Sequence, residues 1–282
     1  MTVNAKKRGM VRKGSIAKTK HHVLVIDDEE VNRMLAKAVL QSLNIDTVLA
    51  SGGHEALKIM KRQKFDIILT DLNMPGMDGW ETTKKIRNDY GDQVIIIGLS
   101  AGNINQLKQK CLHGGMNDVL QKPLDVKQFM AYLDNIRQTA AGINKNVPVP
   151  HQIDGKTDAR NISNATDHEP IYYSLDKLSS LLLGNQNELA KMVKLFIEIA
   201  PQLASQLYEA SKKKDFTLLK QTAHKLKPSV DFMDIGCLKL PLKTLEQYNG
   251  ASENEPAIIA MAAEVKRVID ITASHLAEKY GK

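Results

Sequence analysis

The first half of the chain alternates short apolar runs with stretches of helical periodicity. The apolar runs lie near residues 23–26, 46–50, 66–70, 94–99 and 118–121. Helical patterns fill the intervals between these runs, and a last one follows Asp125. Short apolar runs are typical of buried strands, so five strand–helix repeats predict a parallel sheet with helices on both faces. We expect the strand order 2-1-3-4-5, which places the ligand crevice beside strand 1.

The second half of the chain, residues 170–282, shows helical periodicity and no strand pattern. One apolar stripe at helical spacing consists of Leu219, Ala223, Leu226 and Val230. Several amphipathic helices joined by short turns predict an antiparallel bundle. Residues 139–169 lose apolar periodicity and are predicted to be a linker. The expected fold class is α/β plus all-α, with a flavodoxin-like (βα)5 domain at residues 22–138 followed by the helical bundle.

Composition indicates a globular protein of about two domains. The chain has 282 residues, of which 43% are hydrophobic and 25% are charged. It contains no run of about 18 apolar residues, the length that would predict a membrane span. Its two cysteines, Cys111 and Cys237, form neither a metal-binding spacing nor a disulfide framework. Together with the lack of an apolar signal-peptide segment, these features favour a cytoplasmic protein.

The net charge of +7 is concentrated at the amino terminus. Residues 1–20 contain seven of the 39 basic residues and no acidic residue, so the remainder has 32 basic and 32 acidic residues. We expect residues 1–21 to form a basic, disordered tail. Such a tail either contacts nucleic acid or an anionic membrane, or serves as a solubilising leader without a partner. The sequence leaves both interpretations open.

Polar side chains follow four of the predicted strands. Asp27 and Asp28 follow strand 1, Asp71 ends strand 3, Ser100 ends strand 4, and Lys122 follows strand 5. Because the carboxyl ends of parallel strands meet at one edge of the sheet, these side chains are expected to share a crevice. Three carboxylates suit Mg²⁺, and a hydroxyl with a lysine suits the oxygens of a transferring phosphoryl group. A carboxylate can itself be the nucleophile, and Asp71 is the candidate for an aspartyl phosphate.

Residues 22–138 resemble the receiver domain of two-component response regulators over its full length. The resemblance rests on the strand-end residues and on Asp71-Leu72-Asn73-Met74-Pro75-Gly76-Met77-Asp78-Gly79. It implies that Asp71 is the phosphoryl acceptor. It also implies that Asp28, Asp71 and the backbone carbonyl of Asn73 bind Mg²⁺ directly, while Asp27 acts mainly through metal-bound water.

The same resemblance assigns Ser100 and Lys122 to the phosphoryl oxygens and implies a cis peptide bond between Lys122 and Pro123. One position departs from the family pattern. Receivers often carry an aromatic residue three positions before the lysine, whereas this chain has Val119. The missing aromatic side chain argues against a large rearrangement of the output face. It matters less for a domain that only passes a phosphoryl group on.

His224 is the candidate for a second phosphoryl carrier. It lies beside the apolar stripe of its predicted helix, so we expect its imidazole to be exposed. Lys220 and Lys227 lie about one turn away on the same face, and an imidazole near ammonium groups suits a transient anionic adduct. The spacing by itself also fits an ordinary surface histidine on a lysine-rich helix.

The segment from Ala223 to Gln247 resembles the signature of histidine-containing phosphotransfer domains. The matching residues are Ala223-His224-Lys225-Leu226-Lys227 and, after a gap, Leu245-Glu246. On this resemblance, His224 is the phosphorylated residue and Lys227 stabilises the adduct. That family usually has glycine four residues after the histidine. This chain has Pro228 there, which lacks a backbone donor, frees the carbonyl of His224 and is expected to bend the helix.

The combined resemblance predicts a phosphorelay intermediary. A histidine kinase, separate or hybrid, would phosphorylate Asp71, and the phosphoryl group would pass through His224 to or from a second receiver protein. We expect no small-molecule substrate and no kinase activity, because the sequence has no Gly-rich ATP-binding segment and no P-loop.

Three alternatives remain. The first is a phosphorylation-switched binding module whose bundle only docks partners. The second is an effector that binds nucleic acid or membrane through the tail. The third is the end piece of a longer hybrid kinase, against which Met1 and the basic leader argue mildly. The sequence leaves the oligomeric state open.

Overall fold

The computed structural model describes residues 21–140, 171–250 and 254–281. Strands and helices alternate in the first of these segments. The strands are β1 (His22–Ile26), β2 (Asp46–Ala50), β3 (Ile67–Asp71), β4 (Ile95–Ser100) and β5 (Asp118–Gln121). The helices between and after them are α1 (Glu30–Ser42), α2 (Gly53–Met60), α3 (Gly79–Tyr90), α4 (Ile104–His113) and α5 (Val126–Ala140).

The strands form one parallel sheet in the order β2-β1-β3-β4-β5. The interior strands are almost completely buried, as expected for apolar strands that are covered on both faces. β1 and β3 are neighbours, and Ile26 at the end of β1 pairs with Thr70, the residue before Asp71. The ends of these two strands therefore lie side by side at the carboxyl edge of the sheet.

The two faces of the sheet have separate apolar cores, because alternate residues of a strand point to opposite sides. On one face, Leu24 and Ile68 belong to a cluster that includes buried residues of α2, α3 and α4. On the other face, Val25 and Leu69 belong to a cluster that includes buried residues of α1 and α5. The second cluster continues into the helical part of the chain.

The helical part is a bundle of α6 (Asp176–Leu181), α7 (Gln186–Lys212), α8 (Phe216–Phe232), α9 (Gly236–Gln247) and α10 (Glu255–Tyr280). α7 packs against α8 and α10, and α9 packs against the same two helices. Asp215 caps α8 by accepting a hydrogen bond from the backbone N–H of Leu218 at 2.9 Å. The predicted apolar stripe of α8 is buried, and the helix continues through Pro228.

The sheet domain and the bundle are in contact. Helix α1 packs against α7 and α8, and the buried residues of α1 share one apolar cluster with those of the bundle. Because α1 directly follows the end of β1, this contact brings the carboxyl edge of the sheet next to α8.

The predicted fold class and strand order are confirmed. Every predicted strand lies within one residue of its observed position. Helix α5 continues to Ala140, two residues past the predicted end of the first domain at residue 138. The basic tail, apart from its last residue, and the greater part of the predicted linker lie outside the described residues. Within the described ranges, no helix is both long enough and apolar enough to cross a membrane.

Candidate functional site

The carboxylates of Asp27, Asp28 and Asp71 converge at the carboxyl edge of the sheet. β1 ends directly before Asp27 and β3 ends at Asp71, so the pairing of these strands brings the acids together. One oxygen from each carboxylate lies within 4.8 Å of the others. Asp27 is 1% exposed and Asp71 is 8% exposed. The structure thus unites the three acids that the sequence singled out.

Lys122 reaches these acids from the end of β5. Its ammonium nitrogen lies 2.6 Å from Oδ2 of Asp27 and 2.8 Å from Oδ2 of Asp71. Burial lowers the pKa of Lys122, but the two carboxylates outweigh burial, and the net pKa lies above the ordinary value of a lysine. The peptide bond between Lys122 and Pro123 is cis, as expected. Lys122 therefore stays charged and is held beside the carboxylates of Asp27 and Asp71.

The acidic cluster carries more negative charge than Lys122 neutralises. Burial raises the pKa of Asp71, and Lys122 only partly offsets that rise. Burial, followed by repulsion from Asp27, raises the pKa of Asp28. Buried and half-buried carboxylates that repel one another suit a hard divalent cation, which removes the repulsion and replaces lost hydration. Asp27, Asp28 and Asp71 therefore fit a Mg²⁺ ion.

Asn73 and Ser100 lie beside the acidic cluster. The backbone N–H of Asn73 donates a hydrogen bond to Oδ1 of Asp71 at 3.2 Å, which orients that carboxylate. The carbonyl of Asn73 stays a predicted metal ligand. Ser100 is 2% exposed, and its hydroxyl oxygen accepts a hydrogen bond from the N–H of Gly102 at 3.0 Å. Ser100 pairs with Gln121, the residue before Lys122, so the hydroxyl and the lysine come from adjacent strand ends.

Two residues of α1 hold the acidic loop in place and were not found by sequence reasoning. The side-chain amide of Asn32 donates to Oδ1 of Asp27 at 3.2 Å. The guanidinium of Arg33 donates to the backbone carbonyls of Asp27 and Asp28 at 2.7 and 2.8 Å. The only available signal was their position in the first turn of a helix, where side chains can reach back to the preceding loop.

His224 projects from the exposed face of α8, as its place beside the apolar stripe predicted. Its side chain is 61% exposed. Nδ1 lies 2.6 Å from Oε1 of Glu246 on α9, and the ammonium of Lys227 lies 2.8 Å from the other oxygen of the same carboxylate. We assign the ring proton to Nδ1, because a carboxylate can only accept. The lone pair of Nε2 is then available to attack phosphorus.

Glu246 links the two residues that the sequence proposed for the bundle, although it was noted only as part of a helix signature. Burial by itself would raise the pKa of Glu246. The hydrogen bonds from Lys227 and His224 outweigh burial, so the pKa lies below the ordinary value of a glutamate. Glu246 is therefore ionised at neutral pH, and it orients both the imidazole and the ammonium.

One cavity joins the two groups of site residues. It has a volume of about 160 Å³ and lies between the sheet domain and α8. Asp71 and Lys122 line it from one side, and His224 and Lys227 line it from the other. The contact between α1 and the bundle thus places both candidate phosphoryl carriers at the wall of a single space.

Comparison with known proteins identifies the sheet domain. Residues 23–134 match the family of response regulator receiver domains. The sensor histidine kinase RcsC of Salmonella typhimurium is 40% identical over 123 residues, which are 42% of this chain and 13% of that protein. The virulence sensor protein BvgS of Bordetella bronchiseptica is 27% identical over 253 residues, which are 86% of this chain and 20% of that protein. The chain therefore spans a fifth or less of the length of these relatives.

The similarity to BvgS extends beyond the sheet domain. A continuous segment that covers 86% of this chain necessarily includes α8. Among solved structures, the receiver domain of a sensor histidine kinase from Pseudomonas aeruginosa is described with a magnesium ion coordinated in its active-site cleft. It is 35% identical, and the match covers 43% of this chain and 98% of that one with a TM-score of 0.36.

These comparisons confirm the first domain. Residues 23–134 form a response regulator receiver domain, homologous to receivers of sensor histidine kinases, and this part of the chain belongs to two-component signalling. The phosphotransfer role of the bundle stays a prediction.

Proposed function

We propose that this protein is a phosphorelay intermediary, which accepts a phosphoryl group on Asp71 and exchanges it through His224. The observation that carries the proposal is the shared cavity between the receiver domain and α8, which Asp71 and His224 both line. Both candidate carriers therefore border one space, which is the arrangement that direct transfer between them requires.

The receiver side of the cavity meets the requirements of an acyl phosphate. A carboxylate oxygen of Asp71 attacks the phosphorus of the donor, and the bond between phosphorus and the donor's imidazole or acetate breaks. The ammonium of Lys122, 2.8 Å from the Asp71 carboxylate, compensates the charge of the phosphoryl oxygens. Ser100 is the expected hydrogen-bond donor to another phosphoryl oxygen. A magnesium ion held by Asp27, Asp28, Asp71 and the carbonyl of Asn73 would supply the remaining charge neutralisation.

The bundle side meets the requirements of a phosphohistidine. Nε2 of His224 is the nucleophile, because Nδ1 is engaged with Glu246. Lys227 lines the same cavity and provides positive charge beside the adduct. The carboxylate of Glu246 keeps both groups in place without contacting the phosphoryl group itself.

We further infer the partners and the class of the protein. A histidine kinase, separate or hybrid, supplies the phosphoryl group, and a second receiver protein exchanges it with His224. The chain itself acts as a carrier in the cytoplasm and not as a kinase. Val119 is buried in the core of the receiver, at the position where many receivers have an aromatic switch residue. This substitution favours a carrier over a module whose output face is remodelled.

The proposal is tested with acetyl phosphate labelled in its phosphoryl group, in the presence of Mg²⁺. Wild-type chain is expected to acquire label first on Asp71 and then, as acid-labile phosphohistidine, on the bundle. Asp71→Asn should abolish both labels, and His224→Gln should abolish only the second. His275→Gln on α10 is the matched control and should behave as wild type.

The experiment separates the carrier from the binding module. In a binding module, His224→Gln leaves labelling unchanged, because the wild type forms no phosphohistidine. Label that persists in Asp71→Asn would contradict the assignment of the acceptor.

A further inference from the structure

The receiver domain stands directly in front of His224. The imidazole lines the cavity of about 160 Å³ together with Asp71. It also lines a wider opening of about 570 Å³, whose receiver side includes Asp28, Asn73 and Pro75. Water and small molecules reach His224, whose side chain is 61% exposed. Receiver residues therefore line both spaces that open onto His224.

Apolar contacts hold the two domains in this position. Leu35 on α1 is 5% exposed and belongs to the apolar cluster that contains the buried residues of α8. It lines the shared cavity with Pro228 and Phe232 of α8. Pro228 occupies the position where the resembling family usually has glycine, and here it lies against the chain's own receiver.

Charges on the two surfaces are complementary. Asp28 and Glu29 of the receiver line the wider opening opposite Lys220 and Lys225 of α8. Opposite charges that face each other across an interface favour one docking arrangement and disfavour displacement by a partner with other charges.

From this geometry we propose that the direct partner of His224 is Asp71 of the same chain, and that the docked receiver excludes every external receiver and kinase until the domains separate. This inference rests on the proposed function. Three reactions then compete for the same surfaces. They are transfer within the chain, phosphorylation of Asp71 by a kinase, and exchange of the phosphoryl group between His224 and another protein.

The step within the chain is a simple displacement. The lone pair of Nε2 of His224 attacks the phosphorus of the acyl phosphate, an N–P bond forms, and the bond between phosphorus and the oxygen of Asp71 breaks. Asp71 leaves as a carboxylate, and the ring proton stays on Nδ1 against Glu246. The reaction needs no other reactant and runs in both directions, since both adducts are high-energy phosphoryl donors.

The first test mixes two full-length variants. Asp71→Asn keeps His224, and His224→Gln keeps Asp71, so phosphohistidine in the mixture requires transfer between chains. At about 10 µM protein, a millimolar effective concentration within the chain predicts that the mixture is about a hundredfold slower than wild type. A mixture as fast as wild type would overturn the inference. Absence of phosphohistidine in the wild type itself would instead refute the proposed function.

The second test releases both variants from their own docked arrangement by charge reversal. Glu29→Lys is added to the Asp71→Asn acceptor, and Lys225→Glu is added to the His224→Gln donor. Each chain then repels its own partner domain, while Glu29 of the donor and Lys225 of the acceptor remain complementary between chains. Transfer between chains should rise by about tenfold.

The matched control places the same charge changes away from the interface. Asp89→Lys on α3 replaces Glu29→Lys, and Lys213→Glu at the end of α7 replaces Lys225→Glu. These variants should leave the slow transfer between chains unchanged. If the interface pair of variants also leaves it unchanged, the receiver does not cover His224 and the inference is wrong.

Discussion

Truncation of Glu246 should slow formation of phosphohistidine without removing any atom that contacts phosphorus. Glu246→Ala deletes the acceptor that lies 2.6 Å from Nδ1 of His224 and 2.8 Å from the ammonium of Lys227. A hydrogen bond to a charged group contributes roughly 1.5–3 kcal/mol. Because the imidazole is 61% exposed and the carboxylate is 24% exposed, solvent screening limits the His224 bond to the lower end of that range, at most about 1.5 kcal/mol.

That free energy keeps the imidazole in one orientation, with Nδ1 bonded to Glu246 and Nε2 left free of that bond. Its loss predicts a rate of phosphohistidine formation that is about tenfold lower in Glu246→Ala. Glu246→Gln should recover the greater part of the loss, because its amide oxygen still accepts from Nδ1–H. Glu264→Ala, which deletes a comparable ion pair with Arg267 on α10, is the matched control and should transfer at the wild-type rate.

The assay is the labelled time course, combined with ¹⁵N shifts of the imidazole, which report which ring nitrogen carries the proton. Wild type and Glu246→Gln should show the Nδ1–H form, and Glu246→Ala should show a mixture. An unchanged rate in Glu246→Ala would refute the reasoning. Equal losses in the Ala and Gln variants would show that the charge, and not the orientation, is what Glu246 contributes.

Three further predictions concern the metal, the loop and pH. Asp28→Asn should weaken Mg²⁺ binding in calorimetry by at least about tenfold, yet leave the cation-free protein equally or more stable to heat, because it removes a repelling carboxylate. Gly79→Ala would place a Cβ 2.2 Å from the carbonyl oxygen of Asp71 and should cost about 1–3 kcal/mol in denaturant unfolding. It should also slow labelling of Asp71, unlike Gly236→Ala at the start of α9, whose Cβ meets no atom within 4 Å. The pKa of Glu246 is lower in the folded chain than in the unfolded chain, so its ionised carboxylate stabilises the fold at pH values above the unfolded pKa of about 4.3. This contribution is lost as the pH falls through the folded pKa. The difference in melting temperature between wild type and Glu246→Gln should therefore be constant near neutral pH and vanish in acid.

The acidic site could be predicted from the sequence because of a property of parallel sheets. Four of the five strands carry a functional residue at or just after the carboxyl end, and parallel strands present these ends at the same edge. Apolar runs that stop at Asp27, Asp71 and Ser100 therefore locate the site from the sequence. Exposure of His224 followed from helical periodicity in the same way, since a residue beside a buried stripe faces solvent.

Contacts between distant segments depended on tertiary structure. Glu246 is 22 residues from His224, and the two meet because α8 and α9 pack against each other, which no spacing within one helix reveals. Lys122 likewise reaches Asp27 and Asp71 only because the sheet aligns the carboxyl end of β5 with the carboxyl ends of β1 and β3.

What the sequence by itself determined is the set of chemical groups and the local elements that carry them, because strand and helix periodicity are encoded by neighbouring residues. Only the folded chain decided which groups of the receiver lie opposite which groups of the bundle. The receiver could have packed on the bundle through any apolar surface, and periodicity does not rank them. Packing of α1 against α7 and α8, with complementary charges at the rim, selected the arrangement in which Asp71 and His224 share one cavity.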